Sequence, residues 1–402
     1  MSEKSAVEHT GLQRFFPGGV GRLRCPVQRY PWGRPAEVSL VARLGGLSGG
    51  GEPCAELWMG AHPKASAELV SSEGALSLAA AVALAPAEIL GPTVAQRWGG
   101  MLPFLFKVLS IGAPLSIQAH PDSTLAAALH SRDPVNYPDP FHKPEIGVAL
   151  TTVEMLGGLL PQSALGERLA EYPELAALIG AGHRHTRAAY QAVLEASDQN
   201  HGEAITQLQR RLTEKGEGCS VAERYFLRMV AEYGPLDRGL CGFFLLNLVT
   251  LAPGEGVFMG PHFPHAYLSG DLIECMANSD NVVRAGLTRK FQDRETLIAM
   301  LDETTGSPTI LKPHEHSVEP GRVRFAPVAE FSLERCQADG ATFEFSRPPS
   351  LAVIVVLEGE VRVRTALGEQ LLRGGEVGAI PAFARNYHLD VHRGDVFVAA
   401  VP

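Results

Sequence analysis

The stretch SLAVIVVLEGEVRVRTALGEQLLRGGEVGAIPA, residues 350–382, alternates apolar with polar residues and is interrupted by glycines at regular spacing. Alternation with a period of two is typical of β-strands that bury one face, and glycines between such runs favour tight turns. The chain ends on a further apolar run, DVFVAAVP, at residues 395–402. Together the two stretches predict a small antiparallel jelly roll at the carboxyl end.

The amino-terminal third carries the same kind of pattern in shorter pieces. From residue 25 to about residue 152 the chain is rich in Gly and Pro and contains short apolar runs, such as residues 37–44 and 115–118. These runs predict short strands joined by turns. An Ala- and Leu-rich stretch at residues 76–90 predicts one helix, which Pro86 should end or kink.

Residues 162–233 differ in character, because apolar residues recur there at the three- and four-residue spacing of amphipathic helices. The strand pattern returns with FFLLNLVTLAPGEGVFM at residues 243–259. We therefore expect a mainly β protein with an α-helical insertion of four or so helices. The predicted division is a discontinuous β unit at residues 1–152 and 236–320, a helical insertion at 153–235, and a second β unit at 321–402.

Composition limits the class of function. The 402 residues exceed the roughly 250–300 at which a single core stops growing, so two or three packed units are expected. The net charge of −9 gives no positive field for nucleic acid, and a small anionic substrate would need a local basic pocket. The six cysteines stand singly without a CxxC pair, which argues against thiolate zinc sites and disulfides. No run approaches the ~20 apolar residues of a membrane span and no secretory signal is found, so we expect a cytoplasmic protein without a membrane partner.

Three clusters of polar residues stand out against this background. In the sequence LSIQAHPD, Ser116, Gln118 and His120 alternate with apolar residues and therefore share one face of a strand. A second cluster, HKPE, ends at Glu145, and a third, HFPHAY, contains His265. Two imidazoles, a carboxylate and an amide oxygen can bind zinc and leave a position open for water or substrate.

The most specific stretch, PHAYLSGDLIECMANSDNVVRAGLT at residues 264–288, resembles the signature of type I mannose-6-phosphate isomerases. The resemblance implies a cupin-type fold with a helical insertion, so both β units are expected to be cupin-like jelly rolls. It also implies one Zn²⁺ per chain and reversible conversion of mannose 6-phosphate to fructose 6-phosphate, which feeds GDP-mannose synthesis. Five further segments match in the family's order, namely residues 28–33, 55–60, 102–107, 116–121 and 142–145. The implied zinc ligands are Gln118, His120, Glu145 and His265.

The implied reaction requires a general base and a charge stabiliser, since a proton must leave the carbon beside a carbonyl and return to its neighbour through a cis-enediol. The family's catalytic arginine falls on Arg284, which stays charged at any working pH and can contact two oxygens at once. Lys290 matches a lysine associated with phosphate binding, and Ser116 is similar to a residue that lines the substrate site in relatives. Glu274 and Lys143 are favoured as the base because each lies in a matched motif. The full set of candidates is Glu274, Lys143, His142 and Asp280.

Several interpretations stay open on the sequence. The same scaffold hosts iron-dependent cupin oxygenases, although an amide at Gln118 argues against an iron site built only from His and Glu. A catalytically silent sugar-phosphate-binding protein would keep the fold without the chemistry, although Arg284 and all four ligands are retained. Glu274 has an alternative role as a structural carboxylate that orients Arg284. The expected partner is a small sugar phosphate, and we expect a monomer. The remaining pairs at strand spacing, expected to be solvated, are His183 with His185 and His314 with His316.

Overall fold

Antiparallel β-strands dominate the computed structural model, which describes residues 11–180, 182, 185–301, 306–325, 328–346 and 350–402. A block of helices interrupts the strands between residues 162 and 233. The predicted fold class, mainly β with an α-helical insertion, is confirmed. Within the described ranges, no helix is long and apolar enough to cross a membrane.

The strands are numbered in chain order. They are β1 (Gly21–Arg24), β2 (Val27–Gln28), β3 (Arg34–Pro35), β4 (Pro53–Cys54), β5 (Glu56–Met59), β6 (Ala61–His62), β7 (Ala65–Ser66), β8 (Glu68–Ser71), β9 (Gly74–Ser77), β10 (Phe104–Ile111), β11 (Ile117–Ala119), β12 (Glu145–Ala149), β13 (Val153–Leu159), β14 (Leu246–Leu251), β15 (Gly256–Met259), β16 (His265–Ala277), β17 (Val283–Gly286), β18 (Ile310–Leu311), β19 (Ser317–Glu319), β20 (Arg322–Arg324), β21 (Ser332–Phe345), β22 (Ala352–Thr365), β23 (Gly368–Arg373), β24 (Val377–Ile380) and β25 (Tyr387–Ala400).

The α-helices are numbered in the same way. They are α1 (Leu40–Leu44), α2 (Leu78–Leu84), α3 (Pro86–Leu90), α4 (Pro92–Arg97), α5 (Ser123–Arg132), α6 (Gln162–Glu171), α7 (Pro173–Ile179), α8 (Thr186–Glu195), α9 (Asp198–Lys215), α10 (Val221–Tyr233), α11 (Gly242–Leu245) and α12 (Arg294–Met300).

Two large antiparallel sheets contain most of the described strands. The first has the order β19-β20-β21-β25-β22-β24-β1-β8-β9, with β23 beside β22. The second has the order β18-β15-β12-β16-β10-β5-β2. The long strand β16 extends this second sheet, because its first residues pair with β11 and β13 and its later residues pair with β10 and β12. Phe106 of the second sheet and Val353 of the first belong to one buried cluster, so the sheets pack as a sandwich.

The first sheet draws strands from both ends of the chain. Gly21 of β1 is opposite Ala379 of β24, and β8 pairs with the other edge of β1. Val20, just before β1, packs in a buried cluster with carboxyl-terminal residues such as Leu372. The predicted division at residue 321 therefore does not follow the sheets. Alternation within a strand shows which face is buried, but it does not identify a partner as distant in the sequence as Ala379 is from Gly21.

The helical insertion begins later than predicted. Residues Val153–Leu159 form strand β13, which pairs with β14 and β16, so the helices start only at Gln162. Helices α6 to α10 then bury Leu175, Ile205 and Phe226 in one cluster. The helical periodicity predicted at residues 162–233 is confirmed, and the boundary at residue 153 is wrong by the length of one strand.

Two local predictions had different outcomes. The strand expected at residues 37–44 is wrong, because Leu40–Leu44 is helix α1 and Ser39 Oγ caps it by accepting from Ala42 N at 3.2 Å. A short apolar run does not separate helix from strand, whereas a serine before it is a helix-start signal. The helix predicted at residues 76–90 is confirmed from residue 78, since residues 76 and 77 end strand β9, and the break at Pro86 is confirmed because Pro86 begins α3 after α2 has ended.

Ser220 caps helix α10 through a reciprocal pair of hydrogen bonds. Its Oγ accepts from Glu223 N at 3.3 Å, and Glu223 Oε2 accepts from Ser220 N at 2.6 Å. We expect Ser220→Ala to lower the free energy of unfolding by about 0.5–2 kcal/mol, because the Glu223 N–H then loses its acceptor. Thermal unfolding should show a lower Tm, whereas Ser163→Ala, at an exposed serine of α6 without a capping bond, should not change it. An unchanged Tm for Ser220→Ala would contradict the capping role.

Candidate active site

The register of three strands aligns the first group of site residues. Strand β11 lies between β16 and β17, and Gln118 is opposite His265 on one side and Arg284 on the other. Cβ atoms of directly opposed residues are about 4.5–5.5 Å apart, so these side chains are neighbours. Ile117 and Ala119 are fully buried, as the alternation in LSIQAHPD predicts.

Strand β16 brings two site residues to one face although nine positions separate them. His265 begins the strand and Glu274 lies near its end, and a regular strand would place them on opposite faces. Gly270 has a φ of 110°, and a Cβ there would lie 2.6 Å from the carbonyl oxygen of Thr152, so only glycine fits. Tyr267 before Gly270 and Glu274 after it line the same cavity. The irregularity at Gly270 therefore changes the face of the strand.

His120, Glu145 and His265 converge at a fully buried point, and Glu145 Oε2 is 3.2 Å from Nε2 of both histidines. Each Nδ1 donates to a backbone carbonyl at 2.9 Å, His120 to Asn281 and His265 to Phe263. Each Nε2 therefore has a lone pair that faces a carboxylate oxygen of Glu145. The nitrogen and the oxygen repel each other unless a cation lies between them. His120 Nε2 and Glu145 Oε2 have no hydrogen-bond partner among the described residues. The donor set thus fits a divalent metal ion.

Gln118 places a fourth polar group beside this cluster. Its amide nitrogen lies 3.4 Å from Nε2 of His265. A half-turn about the last side-chain bond exchanges the amide nitrogen and oxygen at the same position. Oε1 can therefore face a cation held by the other three side chains, and the four predicted ligands lie together.

The protonation states of this cluster suit metal binding. Burial lowers the pKa of His120 to about 4, so its ring is neutral at neutral pH. Burial raises the pKa of Glu145, but the positive charge of Lys143, whose Nζ lies 3.1 Å from Oε1, opposes burial, and the pKa of Glu145 lies well below its usual value. A neutral imidazole and an ionised carboxylate are the forms that bind a metal.

A second buried charged pair joins β10 to β16. Lys107 is opposite Glu274 in the ladder, and its Nζ lies 3.0 Å from Glu274 Oε2. Burial lowers the pKa of Lys107, but Glu56, Glu274 and Glu145 outweigh burial and raise it above its usual value. Burial raises the pKa of Glu274. Lys107 opposes this effect, but Glu145 and Glu56 add to it, so the pKa of Glu274 lies above its usual value. A buried carboxyl group with a raised pKa is typical of proton-transfer sites.

Most of the predicted site residues line one cavity of about 950 Å³, a volume that accommodates a small-molecule ligand. His120 and His265 are fully buried and reach the cavity only through their neighbours Glu145 and Gln118. The predicted residues in the wall are Ser116, Gln118, Lys143, Glu145, Glu274, Arg284 and Lys290.

Arg284 and Lys290 are two of the cations that line this cavity, in a protein whose net charge is −9. Arg284 is half-buried and, among the described residues, has no ion-pair partner within 4.0 Å. Lys290 is exposed, and its Nζ lies 5.6 Å from the ring centroid of Tyr30. Burial and then the charge of Arg284 lower the pKa of Lys290, which indicates that the two cations are close. An unpaired guanidinium in a cavity wall is well suited to binding an anionic oxygen.

The other two candidates for the base are less favourably placed. His142 is outside the cavity wall, and its Nε2 lies 2.7 Å from Oε1 of Glu330. Asp280 lines the cavity, but its carboxylate lies 2.8 Å from Lys64 Nζ. Burial raises the pKa of Asp280, but His62 and Lys64 outweigh it and lower the pKa, so Asp280 is a weak base.

The cavity residues that sequence reasoning missed include Glu56, Trp58, Lys64 and Lys107. Trp58 Nε1 donates to Glu56 Oε2 at 2.5 Å, and Lys107 Nζ lies 5.8 Å from the Trp58 ring centroid. One signal was available, because Lys107 is the lone charge in the apolar run LPFLFKVLSI. A lysine buried in such a strand needs a partner, so its presence indicates a carboxylate nearby.

The two remaining histidine pairs do not join the metal-binding cluster in the described part of the chain. The His314 side chain is 76% exposed, and His316 is half-buried on a short 3₁₀ turn. His185 is exposed, and His183 lies outside the described residues.

A β-sandwich with a buried His–Glu–His group beside a polar cavity defines a class, the metal-dependent β-sandwich enzymes. Residues 20–162 match the family model for the type I phosphomannose isomerase catalytic domain. The chain is 36% identical to mannose-6-phosphate isomerase 2 of Arabidopsis thaliana, over 92% of this chain and 91% of that protein. It is 34% identical to the mannose-6-phosphate isomerase of Homo sapiens, over 90% of this chain and 92% of that protein. The chain belongs to the type I mannose-6-phosphate isomerase family.

Solved structures extend the similarity to nearly the whole fold. The mannose 6-phosphate isomerase of Salmonella typhimurium bound to fructose 6-phosphate and zinc has a TM-score of 0.82 and 30% identity to this chain. The match covers 95% of this chain and 99% of that chain. A zinc-bound holo structure of a mannose 6-phosphate isomerase has a TM-score of 0.83, with the same identity and coverage.

Proposed function

We propose that this chain is a zinc-dependent aldose–ketose isomerase that interconverts mannose 6-phosphate and fructose 6-phosphate. The observation that carries the proposal is a buried His–Glu–His group and an unpaired arginine at one cavity. The curated relatives are named mannose-6-phosphate isomerases, and a similar structure holds zinc and fructose 6-phosphate. These relatives favour neither an iron-dependent oxygenase nor a silent binding protein.

We assign one zinc ion per chain to Gln118, His120, Glu145 and His265. When bound, zinc supplies a Lewis acid that polarises the substrate carbonyl. Within this set Glu145 provides the negative charge, and the carbonyls of Asn281 and Phe263 fix the ring orientation of the two histidines.

The residues around the cavity divide the remaining tasks. The unpaired guanidinium of Arg284 stabilises negative charge that develops on the substrate oxygens during enolisation. Lys290 and Ser116 bind the phosphate end, since Lys290 is the exposed cation near Arg284 and Ser116 lines the same cavity.

Glu274 is the proton-transferring base that the geometry supports best. Its pKa is raised above the usual carboxyl value, which increases its affinity for a proton, and it lines the cavity. Lys143 is the second candidate, although its Nζ is engaged in an ion pair with Glu145 at 3.1 Å. The alternative that Glu274 orients Arg284 has no support, because the carboxylate contacts Lys107 instead.

Several broader assignments complete the proposal. Both β units are cupin-like, and the carboxyl-terminal unit serves as packing, because it shares a buried cluster with the amino-terminal strands. The protein acts as a monomer in the cytoplasm and supplies mannose 6-phosphate for GDP-mannose synthesis. A soluble sugar phosphate is its only required partner.

The ligand assignment predicts which substitutions lower zinc content and activity. Gln118→Ala and His120→Ala should each lower zinc content and isomerase activity, because each removes a donor from the buried cluster. His314→Ala should change neither, because that side chain is exposed and does not belong to the His120–Glu145–His265 group. Zinc per chain after dialysis and a coupled assay for mannose 6-phosphate turnover provide the test. Equal zinc content in all three variants would show that the chosen cluster is wrong.

A further inference from the structure

Two loops meet beside the metal-binding cluster. Residues 278–282 connect β16, which carries His265 and Glu274, to β17, which carries Arg284. Residues 133–144 connect α5 to Glu145 at the start of β12. Anything that fixes these loops against each other also fixes the strands that carry the site.

Asp139 joins the two loops through three consecutive residues. Its Oδ1 accepts from Ser279 Oγ at 2.8 Å and from Asn281 Nδ2 at 3.2 Å. Its Oδ2 accepts from the backbone N–H of Asp280 at 2.8 Å. Hydrogen bonds to a carboxylate are stronger than those between neutral groups, so Asp139 holds residues 279–281 strongly.

The backbone of the Asp139 loop strengthens the connection. Asn281 Nδ2 donates to the carbonyl of Asp139 at 2.6 Å and to that of Phe141 at 2.9 Å. Ser279 Oγ accepts from Asn281 N at 3.2 Å, so the second loop is also braced internally. Asn281 is fully buried, and its orientation is therefore set by these partners.

The same residue, Asn281, directs a metal ligand. Its carbonyl accepts from Nδ1 of His120 at 2.9 Å. This contact leaves the lone pair on Nε2, the atom that faces Glu145. A chain of contacts therefore runs from the Asp139 carboxylate through Asn281 to the His120 imidazole.

We propose that Asp139 is a positioning residue of the metal centre, because its carboxylate holds Asn281 so that the Asn281 carbonyl orients His120. The inference rests on the proposed function, in which His120 binds zinc. Outer partners of metal-binding histidines typically contribute about 10–100-fold to metal affinity or activity. Asp139 acts one contact further out, through the backbone of the loop that it fixes.

Asp133 provides a matched control in the same loop. Its Oδ1 accepts from Asn136 N at 3.1 Å and its Oδ2 accepts from Asn136 Nδ2 at 2.7 Å. Asp133 thus also holds the loop through two hydrogen bonds, but both go to Asn136 and neither reaches residues 279–281. Asp139→Ala and Asp133→Ala remove the same charge from the same loop, and only the first removes the contact to Asn281.

The experiment measures zinc affinity by competition with a chromophoric chelator, together with the Tm of the zinc-free protein. Asp139→Ala should bind zinc about 10–100-fold more weakly than the unaltered chain, and Asp133→Ala should bind it equally well. Asn281→Ala should weaken zinc binding similarly, and the double variant Asp139→Ala/Asn281→Ala should lose little more than either single variant, since both act through one path. Asp139→Asn keeps one acceptor oxygen and should lose less zinc affinity than Asp139→Ala. This variant provides the measurement if Asp139→Ala does not fold.

The outcomes separate this inference from the function on which it rests. Equal zinc affinities for Asp139→Ala, Asp133→Ala and the unaltered chain would overturn the inference. A lower Tm of zinc-free Asp139→Ala with unchanged zinc affinity would overturn it as well, because Asp139 would then only stabilise the loop. If the unaltered chain bound no zinc, the proposed function itself would fail.

Discussion

Arg284→Ala is expected to lower kcat and kcat/KM together by about 10²–10³-fold, or about 3–4 kcal/mol. The guanidinium is half-buried in the cavity wall and has no ion-pair partner within 4.0 Å among the described residues, so it is available to a developing oxyanion. Zinc content and folding should survive the substitution, because no metal donor is removed and no partner charge is left uncompensated. Steady-state kinetics with mannose 6-phosphate and a zinc assay on the same preparation measure both effects.

The conservative variant sharpens this prediction. Arg284→Lys should recover little activity, because an ammonium does not reproduce the two-pronged contact of a guanidinium. A rise in KM with unchanged kcat in Arg284→Ala would instead identify Arg284 as a substrate anchor that binds ground and transition states equally. The catalytic label would then pass to Lys143 or Glu274.

Lys107→Met is expected to lower the free energy of unfolding by about 3–5 kcal/mol, because removing one partner of a buried ion pair leaves the other charge uncompensated. Lys107 and Glu274 are both buried, and Nζ lies 3.0 Å from Oε2. The raised pKa of Lys107 means that its contribution is complete below its unfolded-state pKa, about 10.4, and is lost only as pH rises through the higher folded-state value. The effect should therefore be constant across neutral pH. Urea unfolding of the zinc-free protein measures it.

A double substitution provides the control for this ion pair. Lys107→Met combined with Glu274→Gln should be less destabilising than Lys107→Met alone, since no unpaired carboxylate then remains at Glu274. A Lys107→Met protein that unfolds at the same urea concentration as the unaltered chain would show that the carboxylate is neutral or solvated in the folded state.

The local pattern of the sequence predicted local structure well. Alternation in LSIQAHPD places Ser116 and Gln118 on the cavity side and buries Ile117, because a strand has a period of two. The periodicity of residues 162–233 predicted helices for the same physical reason. The break at Pro86 followed from the missing N–H and the fixed φ of proline.

Contacts between distant segments could not be predicted in this way. Pairing of β1 with β24 depends on tertiary packing, so no local pattern indicates that residues 21–24 pair with the carboxyl-terminal sheet. The change of face at Gly270 is likewise invisible to a period-two pattern, although it brings Glu274 to the same side as Tyr267. Resemblance to a family supplied Glu274 and Arg284 as site residues, but only the ladder pairs Glu274 with Lys107.

Turnover of mannose 6-phosphate before and after zinc removal tests the central claim most directly. The protein should be assayed as purified, after exhaustive chelation and dialysis, and after addition of one equivalent of zinc. The proposed site predicts loss of activity on chelation and its return with zinc, because two imidazoles, an amide and one carboxylate converge at one buried point. Full activity of the metal-free protein on mannose 6-phosphate would contradict the account.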